Sequence, residues 1–478
     1  MTDTPDRKDR GVLLRARNGD VIGYDATGLR MTLSDAVVAD LGRRLGAAEQ
    51  GWIDPAVLGD IDAWSVAQSG EWYLFDARLP GAQGVRRFRR RISLPGDAVP
   101  EVIADPAGAL FAILSLGGAR RAVTGDEAPR FGYHVVTTGD DLGPAGAAGT
   151  EAVQATDLIQ RPREQSRDSL IADEIVARRH GAHRALPVIY ARAECDSSAS
   201  VGALLQGAAL ANFRRTVQNL VLAAGSLGLP AKVLSVGLDF TLEDVVSDGA
   251  TWRRGMYDLM AQITDIFADH GLRKPLFTLI YEAGTADMSD GEVVRAQWEM
   301  AWNRGGHDIV FAAPGYMFAQ DRFGRPTAEA RVQMAEMEAA AIEAVNADED
   351  WTCPLLLLAE REGDGSVIRC RGQGMGRFIL DHGDPMGAGT GCGFRLEGAT
   401  NGATITDVSV AKEDRNDVLI RCDTVPEGDL TLCYAIGHEP VGDGRPANRG
   451  ALRDEWSMES RTGGRLHRWA LPAALPVH

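Results

Sequence analysis

The chain has 478 residues, of which 45% are hydrophobic, and its formal net charge is −17. This composition is that of a folded protein of several domains and excludes a disordered or fibrous chain. The acidic balance argues against nucleic-acid binding, because phosphate backbones are bound by clustered Lys and Arg. No apolar run approaches the roughly 18 residues of a membrane-spanning helix, and the charged start MTDTPDRKDR is not a signal peptide, so we expect cytoplasmic synthesis without membrane insertion.

The first 137 residues are predicted to form a mostly β domain that serves for attachment. Asn18-Gly19 between two apolar runs indicates a hairpin, and a stretch over 33–48 has the pattern of an amphipathic helix. The segment 86–91 contains five arginines. We expect it to be a solvated edge strand or a subunit contact, with contact to phosphate or acidic polysaccharide as the alternative.

Residues 138–169 are rich in Gly and Ala and then polar, which predicts a linker or arm. From Leu186, apolar strands alternate with amphipathic helices. Four strands and four helices are expected, in the order LPVIYARA, SVGALLQGAALANFRRTVQNLVLAAGSLG, AKVLSVGLDF, TWRRGMYDLMAQITDIFADHG, KPLFTLIYE, GEVVRAQWEMAWNRG, HDIVFAAP and PTAEARVQMAEMEAAAIEAV. This alternation predicts an α/β domain over 170–350 with a parallel sheet, whose ligands bind at the carboxyl ends of the strands.

Residues 351–478 lose the helical period. Short strands there are separated by Gly/Asp turns at roughly 8–12 residue spacing, which predicts a β-sandwich of jelly-roll type. The six cysteines show neither a CxxC pair nor a histidine at metal-ligand spacing, so we expect reduced buried thiols, no metal and no cofactor.

Candidate functional residues follow the predicted strands. Asp196, Ser197 and Ser198 form a hydroxyl-rich turn after the strand that ends at Cys195, where a nucleophile would be placed next to free helix amides. Two carboxylates and one aromatic ring follow later strands and are candidates for contact with sugar hydroxyls and sugar faces: Glu282, Asp287 and Tyr316. Capping of the next helix is the alternative role of the two carboxylates.

The turn Cys195-Asp196-Ser197-Ser198-Ala199 resembles the Gly-Asp-Ser-Asn-Ala-like turn of the SGNH/GDSL hydrolases, in particular their sialate O-acetylesterase-like branch. The order of elements agrees over about 186–350. The end of the chain, with NRGALRDEW, is similar to domains of phage tails and of gene transfer agent particles of alphaproteobacteria. The resemblance implies a flavodoxin-like three-layer α/β/α domain with Ser197 as the nucleophile and Asp321 as its partner.

The chain departs from the family pattern where the catalytic base belongs. The family places a histidine three residues after the aspartate that precedes the final helix, but the segment from Asp321 to Thr327 contains no histidine. A serine without a base is a poor nucleophile, so we expect Ser197 and Asp321 to be vestigial.

Three functions remain open at this stage. The favoured one is a spike or fibre protein of a phage-like particle that binds cell-surface polysaccharide, joins other particle proteins through its N-terminal domain, forms a homo-oligomer and leaves the cell with the particle. The second is an active carbohydrate O-acetylesterase that uses Ser197. The third is a purely structural particle protein.

Overall fold

The computed structural model describes most of the chain, namely residues 11–15, 21–25, 28–34, 37–38, 53–94, 100–146, 149–244, 246–285, 291–439 and 444–478. The helix predicted over 33–48 lies largely outside these residues. The first antiparallel sheet has three strands, β1 Gly11–Arg15, β2 Val21–Asp25 and β3 Gly28–Thr32. The antiparallel pairing of β1 with β2 is the one that Asn18-Gly19 predicts, although the turn itself is not among the described residues.

A second antiparallel sheet carries the arginine-rich segment. Its strands pair in chain order and are β4 Ala63–Ser69, β5 Trp72–Ala77, β6 Arg86–Arg91 and β7 Val102–Ala104. The arginine strand β6 is therefore an inner strand, and the expectation of an edge strand is wrong. Arg89 pairs with Asp105, and Arg91 pairs with Asp157 at 2.8 Å, so these guanidinium groups are neutralised within the chain.

The central sheet has seven strands, β8 Leu110–Gly117, β9 Val135–Thr138, β10 Ile159–Gln160, β11 Val188–Cys195, β12 Ala231–Asp239, β13 Leu276–Tyr281 and β14 Asp308–Pro314. Their order across the sheet is β10-β9-β11-β8-β12-β13-β14, and every neighbouring pair is parallel except β10 with β9. The predicted parallel sheet is confirmed. The sheet order reverses at β8, whose neighbours β11 and β12 both follow it in the chain.

Helices cover both faces of this sheet. They are α1 Arg167–Gly181, α2 Val201–Leu204, α3 Ala208–Ser226, α4 Gly249–Asp269, α5 Glu292–Trp302 and α6 Ala328–Asn346. Strand side chains alternate between the faces. Ile113 packs with α1 and α6, whereas Ala112 and Leu114 pack with α3, α4 and α5. The region is therefore three-layered, with α1 and α6 on one side.

The sheet begins earlier in the chain than the predicted boundary at residue 137. β8 and β9 were expected in an N-terminal β domain, but they pair with β11 in the central sheet. The segment 138–169, expected to be a linker or arm, is attached to the same sheet through β10. Asn212 and Asn219 of α3 accept hydrogen bonds from the backbone amides of residues 152, 153 and 156, which fixes this segment against the helix.

The C-terminal region consists of antiparallel sheets. The first sheet contains β15 Leu355–Glu362, β16 Val367–Gln373, β19 Ile405–Val410 and β20 Asp417–Cys422. The second sheet contains β17 Ile379–Leu380, β22 Leu452–Glu459 and β23 Arg465–Trp469. The third sheet contains β18 Phe394–Glu397, β21 Thr431–Tyr434 and β24 Ala473–Pro476. Their core is continuous with residues of β14 and α6. The six cysteines are buried free thiols. Within the described ranges, no helix is long and apolar enough to cross a membrane.

Candidate functional site

The turn after β8 lies where the order of the sheet reverses, the position at which open α/β sheets bind ligands. β8 is buried along its length and ends in Gly117-Gly118, followed by Ala119 and Arg120. The amide of Ala119 donates to Glu243 Oε1 at 2.8 Å. A Cβ atom at Gly118 would overlap with the Glu243 carboxylate, so a larger residue there would displace this carboxylate from the amide of Ala119.

Arg120 fills the crevice beyond this turn. Its side chain is 7% exposed, its Nη1 donates to Glu282 Oε2, and its Nε donates to the carbonyl of Gly324 at 2.7 Å. Glu282 follows β13 and also accepts a hydrogen bond from the amide of Gly284 at 2.7 Å. The guanidinium group thus links the turn after β8 to the loop that precedes α6.

A second ionic cluster lies beneath Arg120 and contains two further arginines. Arg121 is fully buried and contacts Asp168 at 2.6 Å and Glu338 at 3.2 Å. Arg167, the first residue of α1, contacts Asp239 at 3.1 Å and Glu338 at 3.0 Å. Removal of one partner of a buried ion pair leaves an uncompensated charge, which costs about 3–5 kcal/mol. This cluster holds the first turn of α1, the end of β12 and the middle of α6 together.

Glu243 is a partly buried carboxylate whose pKa is raised well above its ordinary value. Burial, reinforced by the nearby charge of Asp239, raises its pKa to about 7. The hydrogen bond from Ala119 and the positive charge of Arg120 act in the opposite direction but do not outweigh burial.

The predicted nucleophile belongs to a different strand. Asp196, Ser197 and Ser198 follow β11, the fourth strand of the sheet along the chain, whereas the first strand is β8. Asp196 Oδ1 accepts hydrogen bonds from the amide and hydroxyl of Ser198, at 3.0 and 2.9 Å, so these residues form a local turn. Ser197 is exposed. All nine histidines lie in the described part of the chain, and within it none hydrogen-bonds to Ser197 or to the turn after β8.

The remaining predicted residues are divided between the crevice, a loop and the core. Asp321 accepts hydrogen bonds from the amides of Phe323 and Arg325, at 2.8 and 3.0 Å, and from Arg325 Nε at 3.0 Å. Burial alone would raise the pKa of Asp321, but these hydrogen bonds outweigh it and the pKa is lowered. Tyr316 is fully buried and donates to the carbonyl of Ala470 at 2.7 Å, so its ring offers no surface to a ligand. Asp287 lies outside the described residues.

The structure therefore brings Glu282 and the loop of Asp321 together through a residue that the sequence analysis did not select. Arg120 is the link between them, and Arg121, Asp239 and Glu243 were missed with it. The available signal was the pair of arginines directly after an apolar run that ends in Gly-Gly. Among the residues that the structure describes, no three His, Cys, Asp or Glu side chains are grouped as metal ligands.

Comparison with known proteins gives no family for this chain. No protein-family model and no curated protein matches it. Among solved structures, it is similar to a protein from Arabidopsis thaliana, with 14% identity and a TM-score of 0.35 over 49% of this chain and 98% of the other. It is also similar to the N-terminal part of the bacterial S-layer protein SbsC, with 9% identity and a TM-score of 0.15 over 47% of this chain and 59% of the other. Neither likeness is close enough to carry an argument.

Proposed function

We propose that this chain is a carbohydrate-binding protein without esterase activity, and that its α/β region is a degenerate SGNH hydrolase domain. The observation that carries the proposal is the position of Arg120. In the family pattern, a serine follows the first strand and a histidine stands three residues after the aspartate before the last helix. Here Ala119 and Arg120 follow the first strand, and Gly324 stands three residues after Asp321. Arg120 donates a hydrogen bond to Gly324, so it joins the two positions that catalysis would use.

The chemistry of this crevice does not favour hydrolysis. An arginine side chain is a donor only and stays protonated, so Arg120 cannot act as a general base. The side chain also fills the crevice, because both its neighbours, Glu282 and Gly324, are in hydrogen-bond contact with it. Ser197 offers a hydroxyl, but acyl transfer needs a base within hydrogen-bond reach of that hydroxyl. The described residues supply none.

The wider setting of the proposal is a spike or fibre of a phage-like particle. It is supported by the resemblance of the C-terminal segment to particle proteins, and by the separate three-stranded sheet of β1, β2 and β3, which we assign to attachment. A homo-oligomer fits this setting, because weak sugar sites gain affinity when several engage one polysaccharide at once. The proposed partners are a cell-surface polysaccharide and other proteins of the particle.

The proposal is tested by measuring hydrolysis and binding on the same preparation. We expect the protein to bind purified capsular polysaccharide or O-acetylated oligosaccharide at millimolar sugar. We also expect the wild type and Ser197→Ala to hydrolyse p-nitrophenyl acetate at the same background rate. A rate that is lost in Ser197→Ala would make the chain an esterase. If the folded protein binds no glycan at these concentrations, the purely structural role is the one that remains.

A further inference from the structure

A second concave surface lies at the opposite end of the central sheet from Arg120. It is a groove of about 570 Å³ between the C-terminal ends of α1 and α6 and the C-terminal β region. Ligand pockets commonly have this size and commonly lie where two structural regions meet. The groove is separate from the sealed crevice after β8, because α1 begins at that crevice and runs the length of the sheet before its last turn reaches the groove.

Two helix ends of the same type form one wall. In α1, His183 adopts φ 54°, and the amide of Arg184 donates to the carbonyl five residues earlier at 2.9 Å. In α6, Asp348 adopts φ 59°, and the amide of Glu349 likewise donates to the carbonyl five residues earlier, at 2.9 Å. This is the Schellman arrangement, here with non-glycine residues in the left-handed conformation. It fixes Arg184 and Glu349 at the rim, and the negative ends of both helix dipoles face the groove.

The opposite wall is a rigid aromatic cluster. The rings of Trp351 and Trp456 lie edge to face with centroids 4.8 Å apart, and the guanidinium group of Arg468 lies 5.1 and 5.6 Å from them. Arg468 is held by Asp454 at 2.7 Å, and the indole of Trp351 donates to the carbonyl of Ala312 at 3.2 Å. Trp456 is half-buried, so part of its ring surface remains available to a ligand.

We infer that this groove binds a neutral oligosaccharide, an assignment that rests on the proposed carbohydrate-binding function. The lining contains four arginines and three carboxylates, which makes it nearly neutral within a chain of net charge −17. Sugar hydroxyls donate and accept hydrogen bonds, so they match a lining that contains both arginines and carboxylates. The C–H face of a sugar ring packs on the Trp456 ring. Anionic ligands are disfavoured by the helix ends and by the carboxylates.

The test uses the full-length protein and an array of neutral and acidic hexasaccharides, including dextran, galactan and uronic acid series. The variants are Trp456→Ala and Arg184→Ala, with Trp302→Ala as the matched control, since Trp302 is 50% exposed and lies outside the groove. Loss of one stacking contact of about 1.4 kcal/mol corresponds to a tenfold weaker Kd. We therefore expect Trp456→Ala to weaken neutral-sugar binding about tenfold, Arg184→Ala to weaken it measurably, and Trp302→Ala to leave it unchanged.

The outcomes separate this inference from the proposed function. If the wild type binds neutral sugars and both groove variants bind them equally well, the groove assignment is overturned while carbohydrate binding stands. Binding of acidic hexasaccharides alone overturns the neutral assignment. Failure of the wild type to bind any member of the array overturns the proposed function and the groove assignment together. Circular dichroism of each variant shows that it is folded, and Arg184→Ala, at an exposed side chain, keeps the test decisive if Trp456→Ala does not fold.

Discussion

Glu243→Gln should change how the stability of the protein depends on pH. The carboxylate of Glu243 lies over the turn after β8, where burial raises its pKa from an ordinary value of 4.5 to about 7. The folded state therefore binds more protons than the unfolded state between these two values, and the free energy of unfolding falls as pH rises through this window. Glutamine keeps the acceptor for the amide of Ala119 and removes the titration.

The size of the effect follows from the two pKa values. Their difference corresponds to at most about 3 kcal/mol, because one pKa unit equals about 1.4 kcal/mol. We expect Glu243→Gln and the wild type to be similar in stability near pH 4.5, and the variant to be more stable by up to about 3 kcal/mol above pH 7. Urea unfolding of both proteins at several pH values measures the difference, and at each pH the titrations that they share cancel.

Glu427→Gln is the matched control, because Glu427 is exposed. The reasoning about Glu243 is refuted if the difference in stability between Glu243→Gln and the wild type is the same at every pH between 4.5 and 8, since the carboxylate of Glu243 would then titrate alike in the folded and unfolded states.

Three further substitutions probe other parts of the fold through their unfolding midpoints in urea. Arg121→Met should lower stability by about 3–5 kcal/mol, and adding Asp168→Asn should recover much of the loss, because Asp168 is the buried carboxylate left without its arginine, whereas Glu338 keeps Arg167; no recovery would contradict this. Tyr316→Phe should cost about 1–2 kcal/mol through the lost hydrogen bond and leave glycan binding unchanged; weaker binding would show that the ring touches the ligand. Asp348→Gly should raise stability by up to about 1 kcal/mol, since glycine adopts φ 59° without strain, and a loss would disprove that account.

The hydrophobic pattern of the sequence predicted the elements of the fold that depend on neighbouring residues. The strands and helices after Leu186 alternate in hydrophobicity with the periods of a sheet and its helices, and they appear as β11 to β14 and α2 to α6. The first predicted helix is divided into α2 and α3, so the described residues after Leu186 form five helices where four were expected. β8 was placed in the wrong region because a short apolar run looks the same in any buried strand. Its position is decided by its partners, β11 and β12, which lie about 80 and 120 residues further along the chain.

The candidate site was harder to predict, because its location depends on which strand is the first of the central sheet. Once Val188–Cys195 was taken as the first strand, Ser197 became the natural nucleophile. Glu282 lies directly after β13, at the end of a predicted strand, but its partner Arg120 lies 162 residues away in sequence, and no spacing rule connects them. The contacts of Arg120 are made with residues that only the folded chain brings next to its loop.

The backbone of the loop before α6 restricts which residue can stand three positions after Asp321. Gly324 occupies that position with φ +71°, a conformation that a side chain adopts only with strain. A Cβ atom there would lie 2.6 Å from Thr285 Cγ2, closer than van der Waals contact allows. The carbonyl of the same residue is the acceptor for Arg120 Nε. A side chain at this position would therefore require Thr285 or the loop itself to move, so the loop geometry that presents this carbonyl to Arg120 depends on glycine at 324.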